Sequence, residues 1–304
     1  MCVIKISSVE EEKDIEKNLR KFFLSNNYDI FTCEGLSINE KEINLFERFE
    51  VENNYLENFI IKIKNEKVCN FIKYIVNLVI KKNVYNKTHY EFIFKLLKNK
   101  NFQYNIIIHP TNCSKFLWIK LKLYENCESS ILILHNCKTL SEEIFKITKK
   151  EENKKFRMVK NLKCIDKCLR ENNTPYPGNF DGIIFNKTIL QPMFIIEYSK
   201  VDWVYDKKYK FLESNNIIGH LRWYCKDKNG SGWKKDINRW QSLKNLSNFL
   251  NIPVYIIWWG TQKEEYTIGE LKDVQNNCYE SINIIEEQIN KEELFNFFGK
   301  LLKK

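Results

Sequence analysis

Two carboxylates, Asp181 and Glu197, stand where a folded chain rarely places charge without a reason. Asp181 opens the apolar run DGIIF directly after the turn-forming stretch TPYPGNF, and Glu197 closes a second run, PMFIIEYSK. An ionised carboxylate at the end of a buried strand is costly unless something positive compensates it. The alternative is that Glu197 sits at the open end of a sheet by chance. If the two runs are antiparallel neighbours, the start of one lies beside the end of the other, and both acids meet at one sheet edge. Two adjacent carboxylates raise each other's pKa unless a cation joins them. Mg²⁺ or Mn²⁺ suits that place, because such ions take one or two carboxylates plus waters and phosphate oxygens. The Tyr198 carbonyl is a candidate third ligand. A cation so held can activate water and stabilise the charge that develops on a phosphodiester.

The elements around the pair have a readable order. KKFRMVKNLKCIDKCLRENN has apolar residues Met158, Leu162, Ile165 and Leu169 at helical spacing. The turn and the two apolar strands follow. WKKDINRWQSLKNLSNFLN predicts a long helix with Ile237, Trp240, Leu243, Leu246 and Leu250 on its buried stripe, stopped by Pro253. VYIIWW predicts a buried strand, and KEELFNFFGKLLKK a final amphipathic helix. Between Lys200 and Lys244 stand eleven Lys/Arg against five Asp/Glu, with eight aromatic residues among them. Basic groups contact phosphates and aromatic faces stack on bases, so this mixture suits nucleic acid. A solvated basic surface over an aromatic core accounts for it equally well. Trp233, Lys234, Lys235 and Arg239 at the long helix, with His220 and Arg222 before it, are the candidate contacts.

An acid after a turn, an apolar strand, a strand closing on Glu197 and Lys200, then a helix and a strand: from about residue 140 to 260 the chain resembles the PD-(D/E)XK nuclease superfamily. That resemblance implies a restriction-endonuclease-like core in the C-terminal half. It further implies metal-dependent hydrolysis of DNA, most naturally double-stranded, with Asp181 and Glu197 as the catalytic, metal-binding acids. Restriction endonucleases are among the enzymes of this kind. The alternative is a catalytically inactive nucleic-acid-binding protein of the same fold. Family members carry a catalytic lysine two residues after the second acid, but here Ser199 holds that place and the lysine is Lys200. On a regular strand Lys200 points to the opposite face. The resemblance therefore predicts an irregularity after Tyr198 that re-aims Lys200, with Lys234 or Lys235 as substitutes. Asp166 and Glu171 are candidates for a further upstream acid.

The first half of the chain is mixed α/β text. VEEEKDIEKNLRKFFLSNN predicts a helix, 55–99 a mostly helical segment, and NIIIHP and ILILHN short buried strands. SKFLWIKLKLY between them is read as helical, which would give a strand–helix–strand unit. His109 and His135 each end or follow an apolar strand and are read as structural rather than as a shared site. The overall expectation is an α/β (α+β) fold, a mixed central sheet flanked by helices. It divides into an N-terminal region, 1–138, open to a nucleic-acid recognition role, and a C-terminal domain, 139–304.

With 304 residues, 43% hydrophobic and 29% charged, the profile is that of a globular chain. No apolar run approaches the roughly 18 residues of a membrane span, and the acidic N-terminal stretch does not read as a signal peptide. These features point to a cytoplasmic protein, with a homodimer left open. Ten cysteines are scattered without a CxxC, which reads as reduced thiols rather than a disulfide framework. Cys164 and Cys168, four apart on one helix face, are read as packing. The +10 formal charge invites a polyanionic partner.

Overall fold

The computed structural model describes residues 5–6, 14–38, 42–82, 85–123, 127–148, 164–174, 180–200, 217, 235–260, 265–274 and 281–303. The architecture is mixed α and β, built on two mixed sheets. The chain divides into two compact units that interleave in sequence: Met1–Glu11 with Cys33–Asn179, and Glu12–Thr32 with Phe180–Lys304.

The first unit is built on the strands β1 (Lys5–Ile6), β3 (Gly35–Ile38), β4 (Ile43–Val51), β5 (Phe102–Pro110), β6 (Phe116–Lys122) and β7 (Glu128–Leu134). They lie in the order β1-β4-β5-β6-β7, with β3 also paired to β4. Parallel β4 and β5 are joined through α2 (Asn53–Asn65), α3 (Val68–Lys81) and α4 (Lys87–Leu96). On one sheet face Phe46, Ile107, Phe116 and Trp118 pack with Leu140 and Ile144 of α5 (Cys137–Thr148) and Ile165 and Leu169 of α6 (Cys164–Glu171). The opposite face meets α4, where Glu47 of β4 bonds His89.

The segment read as a helix around SKFLWIKLKLY is strand β6, paired antiparallel to both β5 and β7. Helices cover both faces of this sheet, so the strand is apolar at nearly every position. A short apolar run of that kind cannot be told from a buried helix by periodicity.

The second unit holds α1 (Asp14–Ser25), β2 (Tyr28–Phe31), β8 (Gly182–Asn186), β9 (Pro192–Lys200), α7 (Lys235–Leu250), β10 (Val254–Trp259), β11 (Glu265–Leu271), β12 (Ile282–Asn290) and α8 (Lys291–Leu301). Its sheet runs β12-β11-β10-β9-β8-β2. β2, β8 and β9 pair antiparallel, β9 and β10 pair parallel, and β10 and β11 pair antiparallel. Ile15, Leu19 and Phe23 of α1 and Leu294 and Phe298 of α8 cover one face with Ile30, Ile184, Phe194, Ile196, Tyr198, Tyr255 and Ile257. Asn290 and Glu293 close a capping box at the start of α8, which satisfies amides that a helix N-terminus otherwise leaves unpaired.

The expected boundary at residue 138 is not where the chain divides. α5 and α6 pack in the first unit, and β2, far upstream, completes the sheet of the second. The expected free thiols are also revised, because Cys69 pairs with Cys127 and Cys137 with Cys168. These partners lie 58 and 31 residues apart, so close spacing in sequence was no guide to them. Among the described residues Cys33, Cys113 and Cys164 are free thiols. Among the same residues no helix is long and apolar enough to cross a membrane.

Candidate active site

The antiparallel ladder of β8 and β9 pairs Gly182 with Ile196 and Ile183 with Ile195. One step further, Asp181 faces Glu197. Directly opposed residues of an antiparallel pair share a sheet face, so the ladder places both acids on one face, between strands that are interior to the sheet. That face is the reverse of the α1–α8 cluster, because Phe194, Ile196 and Tyr198 alternate with Ile195 and Glu197. Helix α7 contacts β9 and β10 and contributes nothing to the α1–α8 cluster.

Asp181 is fixed from the side. Its Oδ2 accepts a hydrogen bond from the Tyr198 backbone N–H at 2.5 Å, so the carboxylate reaches across to the residue after Glu197. Asp181 is half-buried, whereas Glu197 is 3% exposed. Ile256 of β10 stands in register beside Glu197. The pair thus opens to solvent on the Asp181 side rather than at both acids.

The approach of β2 to β8 is tight at Gly182. A Cβ there would come within 2.3 Å of Ile30 Cγ2 and 3.3 Å of the Phe31 carbonyl. Only glycine lets β2 close against the strand that begins just after Asp181.

Lys200 does not join the acids. β9 pairs with β10 in unbroken register from Ile195 to Lys200, so the expected irregularity after Tyr198 is absent. The register shift in β9 lies instead near its start, between the partners of Ile184 and Phe185. Regular alternation sends Lys200 to the face opposite Glu197, with Nζ 5.7 Å from the centroid of the Trp259 ring. Ser199, half-buried, shares the face of Glu197. Trp233, Lys234, His220 and Arg222 lie outside the described residues, as do the side chains of Lys235 and Arg239. For Lys235 and Arg239 the structure gives only their place in the first turns of α7.

The upstream-acid candidates belong to other interactions. Asp166 accepts from Arg48 Nη1 at 2.7 Å, and Glu171 pairs with Lys167 on its own helix. Both lie on α6 in the first unit.

Sequence reading passed over two buried charge clusters within that unit. Arg48, 2% exposed, receives Glu34 Oε2 on both its backbone N–H and its Nε, and Asp166 on Nη1. On the other face of β4 the fully buried Glu47 accepts from Tyr90 and Tyr104 and bonds His89 Nε2 at 2.6 Å. Burial and the Glu47 charge raise both tyrosine hydroxyls, which keeps them protonated as donors. The only sequence signal was the pair Glu47–Arg48 inside the apolar run INLFERFEV.

His109 is buried in β5 and donates Nδ1–H to the Pro110 carbonyl at 2.9 Å; His135 is exposed beyond β7, two strands away. The two histidines do not form a site. Burial lowers the His109 pKa. The unfolded chain therefore takes up its proton first, near pH 6.5, and stability falls as pH drops from there through the lowered folded value. Urea unfolding of the wild type should weaken between pH 7.5 and 5 more steeply than that of His109→Gln. Parallel curves would refute the assignment.

Among the described residues no group of three or more His, Cys, Asp or Glu stands at metal-holding geometry. The Asp181–Glu197 pair supplies two carboxylates, which is the protein share that Mg²⁺ commonly takes. Comparison of the chain with protein-family models, with curated proteins and with solved structures finds no match.

Proposed function

We propose that the protein is a Mg²⁺- or Mn²⁺-dependent endonuclease that hydrolyses phosphodiester bonds of double-stranded DNA. The observation that carries this reading is the placement of Asp181 and Glu197 on one face of the sheet by the β8–β9 ladder, with Asp181 tied to the Tyr198 N–H. The sequence of pairings supports it. An antiparallel β8–β9 ladder, helix α7 and a β10 parallel to β9 form in the order in which the chain resembles the PD-(D/E)XK superfamily.

The acids are held in advance of any ligand. Glu197 sits in a strand paired on both sides, and Asp181 is aimed by a backbone donor, so neither needs to reorganise to receive a cation. Asp181, the more exposed of the two, faces the incoming substrate, and buried Glu197 anchors the inner side. When bound, the ion would supply an activated water and a clamp on a phosphoryl oxygen; the Tyr198 carbonyl remains the candidate third protein ligand. Supercoiled plasmid should be nicked in Mg²⁺ and left intact in excess EDTA. Equal nicking in both would end the proposal.

A second reading is favoured by one observation: Lys200 faces away from the acids, and Ser199 holds the place two residues after Glu197 on its face. It is a protein of this fold that binds nucleic acid without cutting it. Duplex binding with no metal-dependent cleavage would select it. For the nuclease, the same geometry predicts that Lys200→Ala stays well inside the roughly 10²-fold loss that follows removal of a positioned acid–base group. A larger rate loss in single-turnover cleavage, with the substrate still bound, would restore Lys200 to the site.

A further inference from the structure

The positive charge of this protein is not concentrated in the unit that holds the two acids. The first unit carries 27 Lys/Arg against 19 Asp/Glu, and the second carries 22 against 20. Within the first unit the largest part of the excess falls on residues 51–100, which hold ten lysines and four glutamates. Three of those glutamates are engaged: Glu57 with Lys115, Glu66 with Lys62 and Glu91 with Lys87, at 2.8, 2.9 and 3.1 Å.

Helix α3 shows the pattern most clearly. Phe71, Ile72, Ile75, Val76 and Val79 form its buried stripe. Its exposed stripe is Asn70, Lys73, Tyr74, Asn77 and Lys81, at successive helical offsets, with no acid among them. Neither Lys73 nor Lys81 stands in an ion pair with a described residue. Tyr74 is 39% exposed, yet its ring is held by Phe59, 6.1 Å between centroids, and by Lys62 Nζ, 4.5 Å from its centroid. The stripe therefore offers two uncompensated ammonium groups, two amides and a pre-positioned phenol.

We propose that this α3 stripe grips the phosphate backbone of duplex DNA. The proposal rests on the nuclease reading for the choice of DNA as partner, and names a surface of the first unit that would bind it. Ammonium, amide and hydroxyl donors are the groups that make backbone contacts, which position a protein without reading sequence. Lys73 and Lys81 are eight residues apart, about 12 Å along the helix, close to the roughly 12 Å width of the major groove. Two phosphates on its rims lie within their reach. Glutamate at any of the five positions would weaken such a surface.

Binding separates from cleavage if the full-length protein is titrated in EDTA into a fluorescein-labelled 30-base-pair duplex and followed by anisotropy over a salt series. Lys73→Ala/Lys81→Ala should raise Kd about tenfold or more and reduce the salt slope by about 2, roughly 0.9 for each phosphate no longer neutralised. Lys291→Ala/Lys300→Ala on α8 removes the same charge from the second unit and should leave both nearly unchanged. The proposal is overturned if the α3 double variant binds like wild type, or if the α8 variant weakens binding equally. It is also overturned if the wild type binds no duplex, or if an acidic peptide or anionic vesicles engage the stripe and duplex does not. Stripe-dependent binding without Mg²⁺-dependent cleavage would leave this surface standing while removing the nuclease reading.

Discussion

Asp181→Asn and Glu197→Gln are each expected to reduce Mg²⁺-dependent plasmid cleavage by about 10³-fold or more, equivalent to about 4 kcal/mol of transition-state stabilisation. Both changes keep side-chain size and remove the charge that a divalent cation requires. Their effects should be non-additive, because residues that act as one unit lose most of the function when either is removed. Glu197→Gln keeps the buried volume in β9, so circular dichroism should show an intact fold, and duplex binding in EDTA should change little. Asp181→Asn should also loosen the tie to the Tyr198 N–H, which favours a charged acceptor. Wild-type cleavage by either variant would exclude the pair as the metal site. Raised Mn²⁺ concentration should rescue Asp181→Asn, whose outer position is easier for an ion to fill without it.

The largest stability effect is expected at Arg48. Replacing it with Met would leave Glu34 and Asp166 facing one another with no cation between them, and Glu34 is almost wholly buried. Breaking a buried pair by removing one partner costs about 3–5 kcal/mol. The same substitution removes the bond that seats α6 against β4. Urea unfolding followed by circular dichroism should show a loss of that size, and Arg48→Met/Glu34→Gln should recover part of it, because the second change removes a buried charge that the guanidinium had balanced. A loss below about 1 kcal/mol in the single variant, or no recovery in the double, would mean that the Arg48 cluster does not hold the first unit together.

The parts of the fold legible in the sequence were those whose signal is local. DGIIF, FIIEYSK and VYIIWW are short apolar runs set off by nearby proline or glycine and the α7 stripe keeps a helical period; the first two runs, read as antiparallel neighbours, put Asp181 and Glu197 on one ladder. β6 was misread because a strand covered on both faces loses the alternation that identifies strands. Lys200 illustrates a different limit. Alternation alone aims it away from Glu197, and β9 follows that alternation; the expectation of a bulge came from resemblance and not from its residues. Arg48 and Glu47 were invisible as clusters because their partners, at 34, 166, 89 and 104, are gathered only by the tertiary fold. The same holds for β2, a strand of four residues whose partner lies beyond the entire first unit.

That separation of β2 from β8 affects how the protein is made. Ile30 leaves the ribosome about 150 residues before Ile184, its neighbour in the ladder. At about 5–20 residues per second, α1 and β2 wait roughly 8 to 30 seconds for the strand that completes them. The first unit, whose sheet and helices are finished by Asn179, can fold in that interval while the amphipathic α1 remains without its sheet. The cost of closing so long a loop grows only slowly with its length, so the delay is kinetic rather than energetic. During synthesis the hydrophobic face of α1, with Ile15, Leu19 and Phe23, therefore stays uncovered until the strands it packs against have been made.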